Sequence, residues 1–303
     1  MVVGIAAVCG ASIGGVAWYR ARSLTTAALL RRMPAEDALV AYIDFSELRR
    51  GGILQLLDGA KAGEDPEYQS FVRQTQFDYK KDLDAAIVAF APTGRFLLLR
   101  GRFDWKSLRA YVEGQKGQCA NSFCRMTGSV PERRISFFPL RSNLMALAVS
   151  PDESAALRLD HVVSGPDPQL PAAPVWLSVP TSVLKSGDSL PAGTRMFASG
   201  MERAETVILA FAPEGRGLAA KLDVRCRDER DAADLASQLT RTTSVLRETM
   251  EREGRKANPA DLSGVLASGA FRNEGRRVLG YWRIERAFVQ NMLGAPLRTE
   301  PRP

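Results

Sequence analysis

Four cysteines and one histidine set a narrow limit on the chemistry this chain could perform. Cys119 and Cys124 enclose Ala-Asn-Ser-Phe, a C-x4-C spacing. That is not the C-x-x-C of a thioredoxin-like redox site, and no second pair completes a zinc site. Two readings stay open: a disulfide closing a short loop outside the cytoplasm, or two free thiols with one packed inside. Cys226 reads as a small buried hydrophobe at a strand end, and Cys9 lies in an apolar leader. A lone His161 excludes a multi-His metal centre and leaves little room for a Ser-His-Asp arrangement. It follows a predicted helix, whose C-terminal dipole it would complement.

The acids are equally sparing. Asp44 stands at a predicted strand end and, with Glu47, forms a helix-capping box. Asp82 and Asp84 are close enough to suggest a carboxylate pair, but charges there also keep a loop solvated. Arg133, Arg134 and Arg141 lie at the ends of one predicted hairpin. They could contact an anion, or charge a sheet edge against aggregation. Arg272, Arg276 and Arg277 offer the same choice later in the chain. The Gly-rich phosphate loops, the nucleophile elbow, the H-E-x-x-H helix and the EF-hand loop are all missing from the sequence. No catalytic, cofactor-binding or metal-ligating residue is therefore assigned, and no cofactor is expected.

The chain has 303 residues, 45% hydrophobic and 25% charged, which is ordinary globular composition. Lys and Arg total 41 against 34 acids, net +7, and only eight of the 41 are lysines. The arginines are dispersed, with no basic tract and no interleaved aromatics, so no nucleic-acid partner is expected.

Met1 to Tyr19 carries no charged side chain, and Arg20 and Arg22 follow. Nineteen residues suffice to cross a hydrocarbon layer of about 30 Å, and Trp18 and Tyr19 would sit in the aromatic belt. The leader thus reads as a single transmembrane anchor, with membrane contact through residues 2–19. A signal peptide is the alternative. Ala6, Gly10 and Gly14 form a small-xxx-small face on which two such helices could pair. Orientation is in conflict. The arginines after the span favour a cytoplasmic body, whereas a C-x4-C disulfide favours an extracytoplasmic one, which is the expectation adopted.

The most informative pattern is a repeat. AIVAFAPTGRFLLLRGRF at 86–103 is matched by VILAFAPEGRGLAAKLDV at 207–224. Both copies read as strand, Pro-x-Gly turn and strand, followed by an Asp-capped helix (Asp104; Asp228). Further strands are predicted at 38–45, 134–140, 144–149 and 277–284. Helices are predicted at 46–57, 66–74, 231–252 and 285–293, and Ser150-Pro151-Asp152-Glu153 should open another. The expected organisation is an anchor or uncleaved signal over 1–22 and a linker over 23–37. A first α+β repeat over 38–163, a linker over 164–174, a second repeat over 175–294 and a disordered tail over 295–303 follow. The fold class expected is α+β: a single transmembrane helix, then two homologous units of mostly antiparallel sheet with helices on one face.

The segment Leu30–Phe45, LRRMPAEDALVAYIDF, followed by two α+β repeats, resembles uncharacterised bacterial membrane-anchored proteins. In these a Pro-Ala-acid lead-in precedes a strand with a Tyr-x-Asp pattern. The resemblance implies a location in the bacterial inner membrane and brings no activity or site residue with it. The leading expectation is a non-enzymatic envelope interaction or scaffold module of unknown protein partner, with a homodimer through the anchor as a further option. The alternative is a binder of an anionic ligand, a lipid headgroup or acidic polysaccharide, through the arginine clusters. An enzyme of unknown class ranks third.

Overall fold

The computed structural model describes residues 25–34, 36–54, 66–128, 130, 132–165, 168–186, 197, 199–201, 204–215, 217–254 and 256–294. Twelve strands form one continuous antiparallel sheet, in the order β11-β12-β10-β9-β8-β1-β2-β3-β7-β6-β5-β4. The first half contributes β1 (Leu39–Asp44), β2 (Leu83–Ala91), β3 (Gly94–Gly101), β4 (Gln118–Ala120), β5 (Phe123–Thr127), β6 (Arg134–Arg141) and β7 (Leu144–Ser150). The second contributes β8 (Val175–Val179), β9 (Thr206–Glu214), β10 (Gly217–Arg225), β11 (Ala270–Glu274) and β12 (Arg277–Ile284).

This corrects the expected fold class. There are not two separate sheets: β1 pairs with β8, Tyr42 opposite Trp176, and the halves share one ladder of hydrogen bonds. The repeated hairpins, β2–β3 and β9–β10, flank that central pair symmetrically. Two strand edges that would otherwise need protection satisfy each other at the seam.

The transmembrane expectation is also corrected. Among the described residues no helix is long and apolar enough to cross a membrane, so the single-pass reading has no structural support. The leader itself, with Cys9 and the face of Ala6, Gly10 and Gly14, lies outside the described residues, as do 295–303.

The helices are α1 (Thr26–Leu30), α2 (Phe45–Arg50), α3 (Pro66–Thr75), α4 (Tyr79–Asp82), α5 (Trp105–Gly114), α6 (Thr181–Ser186), α7 (Glu229–Arg252), α8 (Leu262–Ala267) and α9 (Arg286–Gly294), with a 3-10 turn at Ala155–Asp160. Aspartates start many of them. Asp44, Asp104, Asp228 and Asp261 each accept a backbone N–H from the first turn, which satisfies a donor the helix leaves open.

Helices cover both faces of the sheet, not one. On the front face α5 packs Leu108 and Val112 on Phe137 and Met145. At the other end of the same face α7 packs Leu235 and Leu239 against Leu222 and Val224. On the back face α1 and the 3-10 turn cover the first half, where Leu29 and Leu159 meet Ile87, Phe96 and Leu98. The back face of the second half carries exposed Lys221, Arg225, Arg272 and Arg283, while Ile208 and Ala210 on β9 extend the back-face cluster of the first half.

The helix expected from Ser150-Pro151 does not form there. Asp152 accepts from both the backbone N–H and the hydroxyl of Ser154, a local turn that competes with the first helical turn, and the 3-10 turn begins only at Ala155. The cysteine loop is itself a short hairpin, β4–β5.

Candidate functional site

Directly opposed residues in an antiparallel ladder share a face, so the strand registers give the make-up of the front surface. One row runs across eight strands: Phe137, Leu147, Leu97, Val88, Ala41, Leu177, Leu209 and Leu222. A second row holds Met145, Leu99, Ala86, Ile43, Val175, Phe211 and Ala220. Every position in both rows is apolar. The ends lie under α5 and α7. In the centre, over β3, β2, β1 and β8, the side chains of Leu39, Ile43, Val88, Leu97, Val175 and Leu177 are only half-buried.

Beside this strip, two residues further along β2, β3 and β7 on the same face, lies a concave mouth of about 610 Å³, lined by Asp37, Phe90, Arg95, Glu132, Arg133, Val149, Ser182 and Val183 among others. The volume falls in the range of small-molecule sites. Phe90 lines it and is 45% exposed, unusual for a central-strand aromatic. The Arg95 guanidinium lies 5.8 Å from its ring centroid, within cation–π range.

Three elements fix the mouth. The β2–β3 turn presses against β7: Ser150 Oγ donates to the Thr93 carbonyl at 2.8 Å. Gly94 has φ +145°, and a Cβ there would stand 2.7 Å from the Val149 carbonyl, so only glycine fits. The β5–β6 turn is closed by the Arg133 N–H to the Val130 carbonyl at 2.9 Å, and it carries Glu132 and Arg133 to the rim. Helix α6 is pinned by buried Leu184 against Phe197 and Met201, which brings Ser182 and Val183 to the opposite wall. Asp37, Arg95, Glu132 and Arg133 form no ion pair among the described residues, so two cationic and two anionic side chains ring the opening.

The other sequence-flagged residues do not converge. Arg134 is ion-paired with Glu153, and Arg141 lies at the far end of β6, about 23 Å from its start at ~3.3 Å per residue. Of the expected anion-contact trio only Arg133 reaches the mouth. Asp44 is occupied as a cap, accepting from Ser46 Oγ at 2.6 Å and the Glu47 N–H at 2.8 Å. Asp82 pairs with Arg102 at 3.0 Å, while Asp84 is exposed. His161 is exposed after the 3-10 turn. Arg272 pairs with Glu274 at 2.9 Å, Arg277 pairs with Asp223, and Arg276 donates to the Arg227 carbonyl at 3.2 Å. Cys119 and Cys124 are directly opposed across β4–β5 and joined as a disulfide. Cys226 is buried, and burial pushes its thiol up, away from thiolate reactivity. Among the described residues no group of three or more His, Cys, Asp or Glu could hold a metal ion.

Sequence reasoning missed Phe90, Arg95, Asp37, Glu132 and Ser182. The one available signal was the unbroken apolar run AIVAFA in β2, which makes both faces of that strand apolar. Of those two apolar faces one is buried, and the other, with Val88 and Phe90, is half-open.

No protein-family model matches this chain, and no curated protein matches it. Among solved structures it is similar to crystal form I of TP0453, with a TM-score of 0.47, 13% identity and coverage of 85% of this chain and 94% of that one. Crystal form III of TP0453 gives 0.47, 10% identity and coverage of 88% and 98%. Crystal form IV gives 0.46, 11% identity and coverage of 88% and 96%. A likeness this distant carries no argument about the site.

Proposed function

We propose that this chain is a non-catalytic binding module that works outside the cytoplasm, with the central front strip and its mouth as the recognition surface. The observation that carries the reading is the half-open apolar centre of a sheet whose ends pack under α5 and α7: Leu99 and Leu147 join the α5 cluster and Leu209 and Phe211 the α7 cluster, whereas Ile43, Val88, Leu97, Val175 and Leu177 join neither. Natural sheets bury or charge such a face unless it meets a partner. The extracytoplasmic placement is supported by the Cys119–Cys124 disulfide, since such bonds persist in oxidising compartments. The arginine-cluster alternative is less well supported, because Arg134 is neutralised and Arg141 is remote.

The test uses the full chain and 1-anilinonaphthalene-8-sulfonate, a probe that fluoresces in apolar sites. The expected result is saturable binding at one site, abolished by Leu177→Asp and weakened several-fold by Phe90→Ala. Phe90 is exposed enough that its truncation leaves the fold intact, which guards against a folding failure of the first variant. Absent binding, or binding unchanged in both variants, overturns the reading.

A further inference from the structure

Resting on the binding-module reading, we infer that the occupant of the strip is the hydrocarbon chain of a single-chain amphiphile, taken up as a monomer, with a zwitterionic headgroup held at the mouth.

The floor decides against a peptide. Strands β1, β2, β3 and β8 are all interior, and each is paired on both edges. Their N–H and C=O groups are consumed in the sheet, and the side chains between them are aliphatic. An extended peptide laid here would lose water from its own backbone groups and find no partner for them, which is strongly unfavourable in an apolar setting. A hydrocarbon chain has no such groups. It gains the apolar burial and loses nothing.

The extent of the strip fits a chain. From Leu97 on β3 to Leu177 on β8 the row crosses four strands, about 14 Å at ~4.8 Å per strand step. The half-buried row is elongated rather than compact, and the mouth with its charged rim lies beside its β2–β3 end.

The rim then selects the headgroup. Arg95 and Arg133 offer planar guanidinium donors suited to a phosphate, and Asp37 and Glu132 offer carboxylates suited to an ammonium. All four line the same mouth, free of ion pairs among the described residues. Balanced charge of both signs is complementary to a zwitterion. A purely anionic head would meet two carboxylates, and a purely cationic one two guanidinium groups.

The experiment is displacement of the bound fluorescent probe from the full chain by lysophosphatidylcholine below its micelle concentration. We expect one-to-one displacement, weakened more than a hundredfold when the acyl chain is shortened by four buried carbons, since each buried methylene changes affinity about fourfold. The double variant Arg95→Ala, Arg133→Ala should weaken the zwitterion and hexadecyl phosphate about tenfold, and leave hexadecyltrimethylammonium no weaker. Both arginines are exposed, so the fold should survive. Probe binding without displacement, displacement insensitive to chain length, or uptake only from intact phosphatidylcholine vesicles would overturn the inference while leaving the binding-module reading standing. Loss of probe binding in the native chain would remove both.

Discussion

Tyr42 and Trp176 face each other across the junction of the two halves, their rings stacked 5.6 Å apart at 23°. They sit on the back of the central strand pair, and Trp176 is only 3% exposed. The same two strands present Ala41, Ile43, Val175 and Leu177 on the front. The junction therefore stacks the halves together on one side and leaves an apolar, half-buried strip on the other.

Trp176→Ala should cost about 3–5 kcal/mol, the usual range for a buried tryptophan. Because the sheet is continuous, the native chain should unfold in one cooperative transition when followed by calorimetry and by fluorescence. Two separable transitions, with Trp176→Ala affecting only the second, would show instead that the halves fold as independent units.

The Cys119–Cys124 disulfide closes a loop of sequence separation 5. Its chain-entropy contribution is correspondingly small, about 2 kcal/mol. Replacing both cysteines by serine should lower the unfolding midpoint modestly and leave probe binding at the strip unchanged, since the hairpin lies at the far end of the sheet. In the native protein a maleimide should modify these thiols only after reduction, and Cys226 only after denaturation. Mass spectrometry of the labelled chain reads all three states.

Tyr68 and Asp78 provide the pH handle. The Tyr68 hydroxyl donates to Asp78 Oδ1 at 2.9 Å, the Lys80 N–H donates at 3.0 Å, and the Lys81 ammonium lies 3.4 Å away. Partial burial pushes the Asp78 carboxyl up, but these contacts outweigh it and hold it below the ordinary carboxylate value. A depressed folded-state value means stabilisation that is full above about pH 4 and is lost as the pH falls further. Asp78→Asn should therefore be less stable than native at pH 7, with the gap narrowing in acid denaturant titrations below about pH 4. A pH-independent gap would contradict the assignment.

Local features were the most legible part of the sequence. The Pro-x-Gly turns marked both repeated hairpins, and the aspartate caps at 44, 104 and 228 marked helix starts, because turn and cap chemistry is confined to a few adjacent residues. The seam was not legible. Pairing of β1 with β8 joins residues some 130 positions apart, and nothing local distinguishes two sheets from one. The strands β4 and β11 were missed because they are short and polar, held by their neighbours rather than by propensity. The mouth draws on Asp37, Phe90, Arg95, Glu132 and Ser182, which only the topology brings together. Of the flagged arginines, Arg133 alone lines the mouth.

The openness of the strip is the claim on which the rest stands, and cysteine accessibility measures it directly. In a Cys9→Ser, Cys226→Ser background, Phe90→Cys and Leu177→Cys would each be exposed to a maleimide without reductant, alongside Val224→Cys beneath α7. Rapid labelling at 90 and 177 in the folded protein, with none at 224 until denaturant is added, is the predicted result. Equal protection at all three positions would mean that the central strip is closed like the rest of the front face, and would contradict the account.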